Sequence, residues 1–187
     1  SSGTPIICFA ARILRDKGIY EFVDAARLLK ERGVQARFFI AGELDSNNRT
    51  GLNLDDFNKL KEEACVEILG YQKNIAILYA KSHIICLPSY REGLPKSLIE
   101  AAAASRAVVT TDVPGCRDAI IPNKTGLLVP VKNHQKLADA LQWLIEHPKE
   151  RVAMGKAGRK LAEKEFLIEK IVQSHLDIYQ ELYNNIL

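Results

Sequence analysis

The chain is 187 residues long, 47% hydrophobic and carries a formal net charge of +3, so it has the size of one ordinary domain and enough apolar material to bury a core. A charge this mild, with Lys and Arg spread along the helices rather than gathered in a stripe, argues against nucleic acid as a partner. No run approaches the roughly 18 apolar residues of a transmembrane segment and no signal-peptide pattern opens the chain, which reads as a cytoplasmic protein.

In chain order, Ser1-Ser2-Gly3 is either a cloning remnant or the mark of a fragment whose N-terminal part has been removed. Pro5 to Ala11 (PIICFAA) is a continuous apolar run, the pattern of a strand buried on both faces. An amphipathic helix then runs to about Arg32, with Ile19, Phe22, Val23, Ala26 and Leu29 on one face, and Gly33 ends it. Ala36 to Ala41 is a second strand, and Glu43 to Asp55 a polar surface loop. A helix over Leu54 to Ala64 leads to a strand at Val66 to Leu69. After Gly70-Tyr71 come a helix to Ala80 and a strand at His83 to Leu87. Beyond an Ala-rich helix, Ala107 to Thr110 is a fifth strand and Gly126 to Val129 a sixth, with a turn-rich stretch between them. Asn133 caps the next helix, Pro148 opens another, and a last amphipathic helix from Phe166 to Leu187 carries Ile171, Leu176, Ile178, Tyr179 and Leu182. The expected fold is α/β: a Rossmann-like, doubly wound parallel sheet of about six strands, with helices on both faces and extra helices at the C-terminus.

Several chemistries are disfavoured. The first β-α turn lacks GxGxxG, no GxxxxGK[ST] is present, and no GxSxG elbow follows a strand. Cys8, Cys65, Cys86 and Cys116 have no CxxC spacing and read as buried or half-buried thiols of a reducing compartment. His83, His134, His147 and His175 form no ligand pair, so no histidine metal site is expected.

The most informative stretch is Pro88 to Ala104 (PSYREGLPKSLIEAAAA), where a strand passes into a helix and two glutamates, Glu92 and Glu100, stand eight positions apart. Leu94 precedes a proline and is held extended, while Pro95 suits the first helical position. Glu92 then lies in the loop over the helix mouth, with Glu100 about 7 to 8 Å along the axis. The amides of Lys96, Ser97 and Leu98 point out of the same helix end, where the dipole favours an anion. On local evidence alone, the reading of Glu100 as a solvated helix residue paired with Lys96 comes first. Arg12 and Lys17 fall at the carboxyl end of the first strand, on the same rim. They suit a diphosphate, or are ordinary exposed charges near a helix start.

Taken together, these residues resemble the C-terminal nucleotide-sugar-binding domain of the retaining, GT-B-fold glycosyltransferases of family 4. The carriers are Arg12 with Lys17-Gly18, Leu69-Gly70-Tyr71, Pro88-Ser89, Glu92-Gly93-Leu94-Pro95, Glu100-Ala101, and TTDVPG at Thr110 to Gly115 followed by Asn123 to Gly126. The match runs over nearly the whole chain, and the EGLP stretch is most similar to bacterial enzymes that build capsule, O-antigen or other lipid-linked polysaccharide. The resemblance implies catalytic roles for Arg12, Lys17 and Glu92. Arg12 and Lys17 would bind the leaving diphosphate, helped by amides around Gly93, Leu94, Pro95, Lys96 and Ser97. Glu92 would contact the donor sugar, Glu100 the ribose hydroxyls, and the backbone at Leu69, Gly70 and Tyr71 the base. It implies a nucleotide-sugar donor, UDP-linked by first choice, with retention of configuration and neither metal nor cofactor.

A polysaccharide or lipid-linked acceptor would be bound by an N-terminal domain absent from this chain. The parent enzyme would sit peripherally on the inner face of the cytoplasmic membrane, and the last helix would cross back to the missing domain. Ala11 and Glu43-Leu44 depart from the family's glycine-containing turns. Two other functions compete with sugar transfer: a nucleotide-binding scaffold without chemistry, and a related UDP-sugar epimerase.

Overall fold

The structure is a computed structural model that describes residues 3–184. Ser1-Ser2, the last residues of the expected C-terminal helix (185–187) and the Ile171 side chain lie outside what it describes. Six strands, β1 (Ile6–Ala10), β2 (Arg37–Ala41), β3 (Glu67–Gly70), β4 (Ile84–Leu87), β5 (Ala107–Thr111) and β6 (Gly126–Val129), form one parallel sheet in the order β3-β2-β1-β4-β5-β6. Every pairing is parallel, and β1 is central, in register with Arg37 to Ala41 on one side and with Ile84 to Cys86 on the other. The helices are α1 (Ile19–Glu31), α2 (Leu54–Lys61), α3 (Ile75–Lys81), α4 (Lys96–Ala103), α5 (Pro114–Ala119), α6 (His134–Glu146), α7 (Pro148–Glu165) and α8 (Ile168–Asn184).

Alternation along β1 assigns the two faces. Phe9 meets Phe22 of α1 with ring centroids 5.5 Å apart, and Phe22 meets Phe38 of β2 at 5.8 Å, in the aromatic centre of one layer. Neighbouring Ala10 turns the other way, toward the layer of α4. α1 packs against α6 and α4 against α7, so both faces are covered, as the unbroken apolar runs require. Ile7, Cys8, Phe9, Ile84, Ile85 and Cys86 are fully buried. Cys8 and Cys86 sit deep in this sheet, where burial pushes the Cys8 thiol up to about 12. Cys65 is half-buried.

The structure corrects several expected boundaries. The stretch between β5 and β6 is not all turn: Pro114 opens the short helix α5. α2 stops at Lys61, short of Ala64, because Glu62 and Glu63 stand at the helix end where the dipole opposes negative charge. α3 begins only at Ile75. Pro95 is the N-cap of α4, extended at φ −73° and ψ 115°, and the helix proper starts at Lys96. The polar segment after β2 is less free than its composition implies. Leu44 and Gly51 bridge to Ile13 and Leu14, and Leu52 is buried.

Arg151 is buried at the α6–α7 corner and donates to the Leu144 and Ile145 carbonyls at 2.9 and 3.3 Å, which satisfies the end of α6. α8 is different in kind. Ile168, Val172, Leu176, Tyr179 and Tyr183 recur at helical spacing, and each is about half or more exposed. An uncovered apolar stripe of this length favours self-association. Sedimentation velocity over a range of concentrations is expected to show reversible association of this chain, abolished when Val172, Leu176 and Tyr179 are changed to Lys. A monomer at high concentration would refute the expectation.

Candidate functional site

β1 and β4 are neighbours in the sheet, yet their following helices leave toward opposite faces, α1 on one side and α4 on the other. This reversal is the switch point at which open α/β sheets bind ligands, beyond the carboxyl ends of the strands. A cavity of about 570 Å³ lies there, walled by Arg12, Lys17, Glu92, Lys96, Ser97 and Glu100. Ala10 and Leu87 form part of its wall from the strand ends, with Tyr71, Gln72 and Tyr79 on the side of α3.

The loop after β4 is held by the turn after β1. The Asp16 carbonyl accepts from the Tyr90 amide at 2.8 Å and from Ser89 Oγ at 3.0 Å. Thr111 Oγ1 donates to the Ser89 carbonyl from β5. Tyr90 Oη donates to Glu21 Oε1 at 2.6 Å, and burial together with this carboxylate raises the phenol above its ordinary range. Gly18, at φ 75°, caps the 3-10 turn Arg15–Lys17 and opens α1; a Cβ there would overlap the Pro88 carbonyl. Glycine at this point lets two loops from separate strands touch.

This contact brings Lys17 Nζ to 2.6 Å from Glu92 Oε1, with the side chains 21% and 10% exposed. Arg12 is more open, 60% exposed, and pairs with Asp45 Oδ2 at 2.7 Å. Both cations of the rim are therefore held on carboxylates. Glu100 is exposed on the cavity wall and makes no ion pair or side-chain hydrogen bond among the described residues; the alternative pairing with Lys96 does not form. At the mouth of α4, no side chain caps the helix. The Leu98 amide, expected to be free, donates to the Pro95 carbonyl at 3.1 Å. That leaves the amides of Lys96 and Ser97 as the orphan donors of the first turn.

Of the residues singled out in the sequence, Arg12, Lys17, Tyr71, Glu92, Pro95, Lys96, Ser97 and Glu100 converge on the cavity. Leu69, Gly70, Gly93 and Leu94 do not line it. The Leu69 carbonyl accepts from Gln72 Nε2 at 2.9 Å and the Gly70 carbonyl from the Gly42 amide at 2.9 Å, so both are occupied. Leu94 points largely to solvent, and the Gly93 carbonyl lies against Gly115. Asp45, Gln72 and Tyr79 belong to the site or its rim without having been singled out. Asp45 is visible only through the loop that Ile13 and Leu14 pin down, and Tyr79 reads in sequence as an ordinary core aromatic. Among the described residues no group of three or more His, Cys, Asp or Glu side chains is placed to hold a metal ion.

The fit under the Glu92 loop gives a direct test. A Cβ at Gly115 would overlap the Gly93 carbonyl and crowd that of Glu92. Gly115→Ala is expected to lower stability by about 1–3 kcal/mol, as overpacking does elsewhere, measured by urea denaturation. An unchanged midpoint would show that the loop yields freely.

The chain matches the family Glycosyl transferases group 1 over residues 1–161. It is 32% identical over 182 residues to N,N'-diacetylbacillosaminyl-diphospho-undecaprenol alpha-1,3-N-acetylgalactosaminyltransferase of Campylobacter jejuni, covering 97% of this chain and 46% of that protein. Sucrose-phosphate synthase from Thermosynechococcus elongatus has a similar structure, with a TM-score of 0.88 at 28% identity over 99% of this chain and 47% of its own. The C-terminal domain of a glycosyl transferase group 1 family protein from Francisella tularensis gives 0.77 at 25% identity, over 89% and 88% respectively. The chain spans about half the length of the curated relatives it matches. A family match over most of the residues, on a six-stranded sheet whose cavity lies at the switch point, leaves one assignment: the chain belongs to the group 1 glycosyl transferases.

Proposed function

We propose that this chain is the C-terminal, donor-binding half of a retaining GT-B glycosyltransferase that extends a bacterial polysaccharide or lipid-linked glycan. The observation that carries the reading is the convergence of Arg12, Lys17, Glu92, Glu100 and the uncapped start of α4 on one cavity. A diphosphate asks for cations and N–H donors already in place, and the Lys96 and Ser97 amides with Arg12 and Lys17 answer that need. The vicinal hydroxyls of a ribose ask for a strong acceptor, which the Glu100 carboxylate supplies, and Glu92, paired with Lys17, meets the sugar. The base lies beside Tyr71 and Gln72. No step calls for a metal, since the leaving charge falls on the two side-chain cations and the helix mouth.

A UDP-sugar is the first choice of donor. An acceptor-binding N-terminal domain completes the cleft in the parent enzyme, and this half alone binds nucleotide weakly and transfers no sugar. The Campylobacter relative is named for transfer to a diphospho-undecaprenol-linked sugar, which supports a lipid-linked acceptor and a parent enzyme working at the inner face of the cytoplasmic membrane. Among the described residues no helix is long and apolar enough to cross a membrane.

Thermal melting with UDP, GDP, ADP and their sugars tests donor binding. At ten times Kd, ligand adds about 1.4 kcal/mol, a rise of about 3–6 °C for a chain of this size. One nucleotide is expected to give such a shift, and Glu100→Ala or Arg12→Ala to remove it; no shift with any of them would refute donor binding by this half. Asp45 gives a second, opposite prediction. The Arg12–Asp45 pair is exposed and worth little to stability, so Asp45→Asn is expected to free Arg12 and tighten nucleoside diphosphate binding several-fold at low salt, measured by calorimetry. Weaker binding would assign Asp45 the role of placing Arg12 rather than restraining it.

A further inference from the structure

Tyr79 and Glu100 are two unsatisfied groups on one cavity. Tyr79, on α3, is 1% exposed and forms part of the wall, and its hydroxyl has no hydrogen-bond partner among the described residues. A buried hydroxyl left without a partner costs about 1–3 kcal/mol, and phenylalanine would fill the same space without that loss. The structure thus holds a buried donor, on a residue that lines the cavity, with no partner among the described residues. Among the side chains on the cavity, which include Gln72 and Ser97, the carboxylates are the strongest acceptors for it. Ala10 and Leu87, which share the wall, have no polar side chain, and the Cys8 thiol stays protonated in its burial. Of the other carboxylates on the cavity, Glu92 is engaged by Lys17, and Glu43 lies beyond the end of β2. Glu100, on the same cavity as Lys96, Arg12 and Lys17, has a carboxylate with no hydrogen-bond or ion-pair partner among the described residues. Burial raises the Tyr79 phenol first, and the Glu100 charge is the next contributor, so the two groups sense each other electrostatically.

We infer that Tyr79 is a positioning residue for Glu100: its hydroxyl donates to one Glu100 carboxylate oxygen and leaves the other to accept from the vicinal hydroxyls of a bound ribose. Both side chains border one cavity, and Tyr79 is held in place by its burial. A carboxylate held at one oxygen has fewer orientations to lose when the ligand arrives. The assignment rests on the nucleotide-binding reading for its consequence, but not for its geometry.

The experiment has two arms. In the first, without nucleotide, the ¹³C resonances of the Tyr79 ring carbon bearing the hydroxyl and of the Glu100 carboxyl are followed in the whole chain. Glu100→Gln is expected to move the former and Tyr79→Phe the latter; if neither moves, the hydrogen bond does not exist and the inference is overturned, whatever the chain binds. In the second, Tyr79→Phe is expected to weaken UDP binding by about 5- to 10-fold, the range set by one lost hydrogen bond. Its melting temperature without ligand should stay level or rise. The losses from Tyr79→Phe and Glu100→Gln should be less than additive in a double-mutant cycle. A fallen melting temperature, or full additivity, would assign Tyr79 to the core instead. If the unaltered chain binds no nucleotide, donor binding fails while the resonance arm still decides the pairing.

Discussion

The contact between the turn after β1 and the loop after β4 is the constraint on which the site depends. One backbone carbonyl, that of Asp16, accepts both the Tyr90 amide and the Ser89 hydroxyl, and Gly18 lies against Pro88 with no room for a side chain. The two strands pair along their length, but pairing alone fixes only the strands. It is the loop-to-loop seam that sets Lys17 against Glu92 and aims the start of α4 at the rim. Thr111 from β5 and Glu21 from α1 brace the same loop from either side. The charged groups thus rest on a frame of hydrogen bonds that, apart from the one to Glu21, join neutral groups, and such bonds are much less sensitive to salt than ion pairs are.

The strands and the layer structure, though not the order of strands in the sheet, were legible in the sequence because buried parallel strands leave continuous apolar runs, and PIICFAA, ARFFIA and AVVT are such runs. Boundaries were less legible where ends are decided by neighbours. Pro95 looks like a first helical residue by propensity, yet it adopts the extended cap conformation. α5 is too short to show a period of its own. In the site, Arg12, Lys17, Glu92 and Glu100 could be found from type and position on the rim, but their pairing could not. Lys17 meets Glu92 and Arg12 meets Asp45 only because loops distant in sequence are brought together. Leu69 and Gly70 do not line the cavity, and their carbonyls already accept from Gln72 and Gly42, contacts that no local pattern announces.

The electrostatics of the cavity follow from those pairings. Arg12, Lys17 and Lys96 are set against Glu43, Glu92 and Glu100, with Asp45 at the rim, so side-chain charge nearly cancels. Attraction for an anion then depends on rearrangement, as Arg12 and Lys17 each exchange a carboxylate for a phosphate oxygen, and on the fixed dipole of α4, which needs no rearrangement. The carboxylates left behind face the hydroxyl-bearing parts of a ligand, which they can accept from.

The central position of β1 also shapes how the chain is made. Synthesis delivers β1 and β2 early, and their pairing closes one edge of β1. Its other edge waits for Ile84 to Cys86, because β4 comes after two helices and β3. Until then this apolar strand has a row of unpaired backbone groups on one side, the kind of open edge that recruits foreign strands. A nascent chain halted before β4 is consequently an aggregation hazard, and protection by a chaperone matters most in that interval.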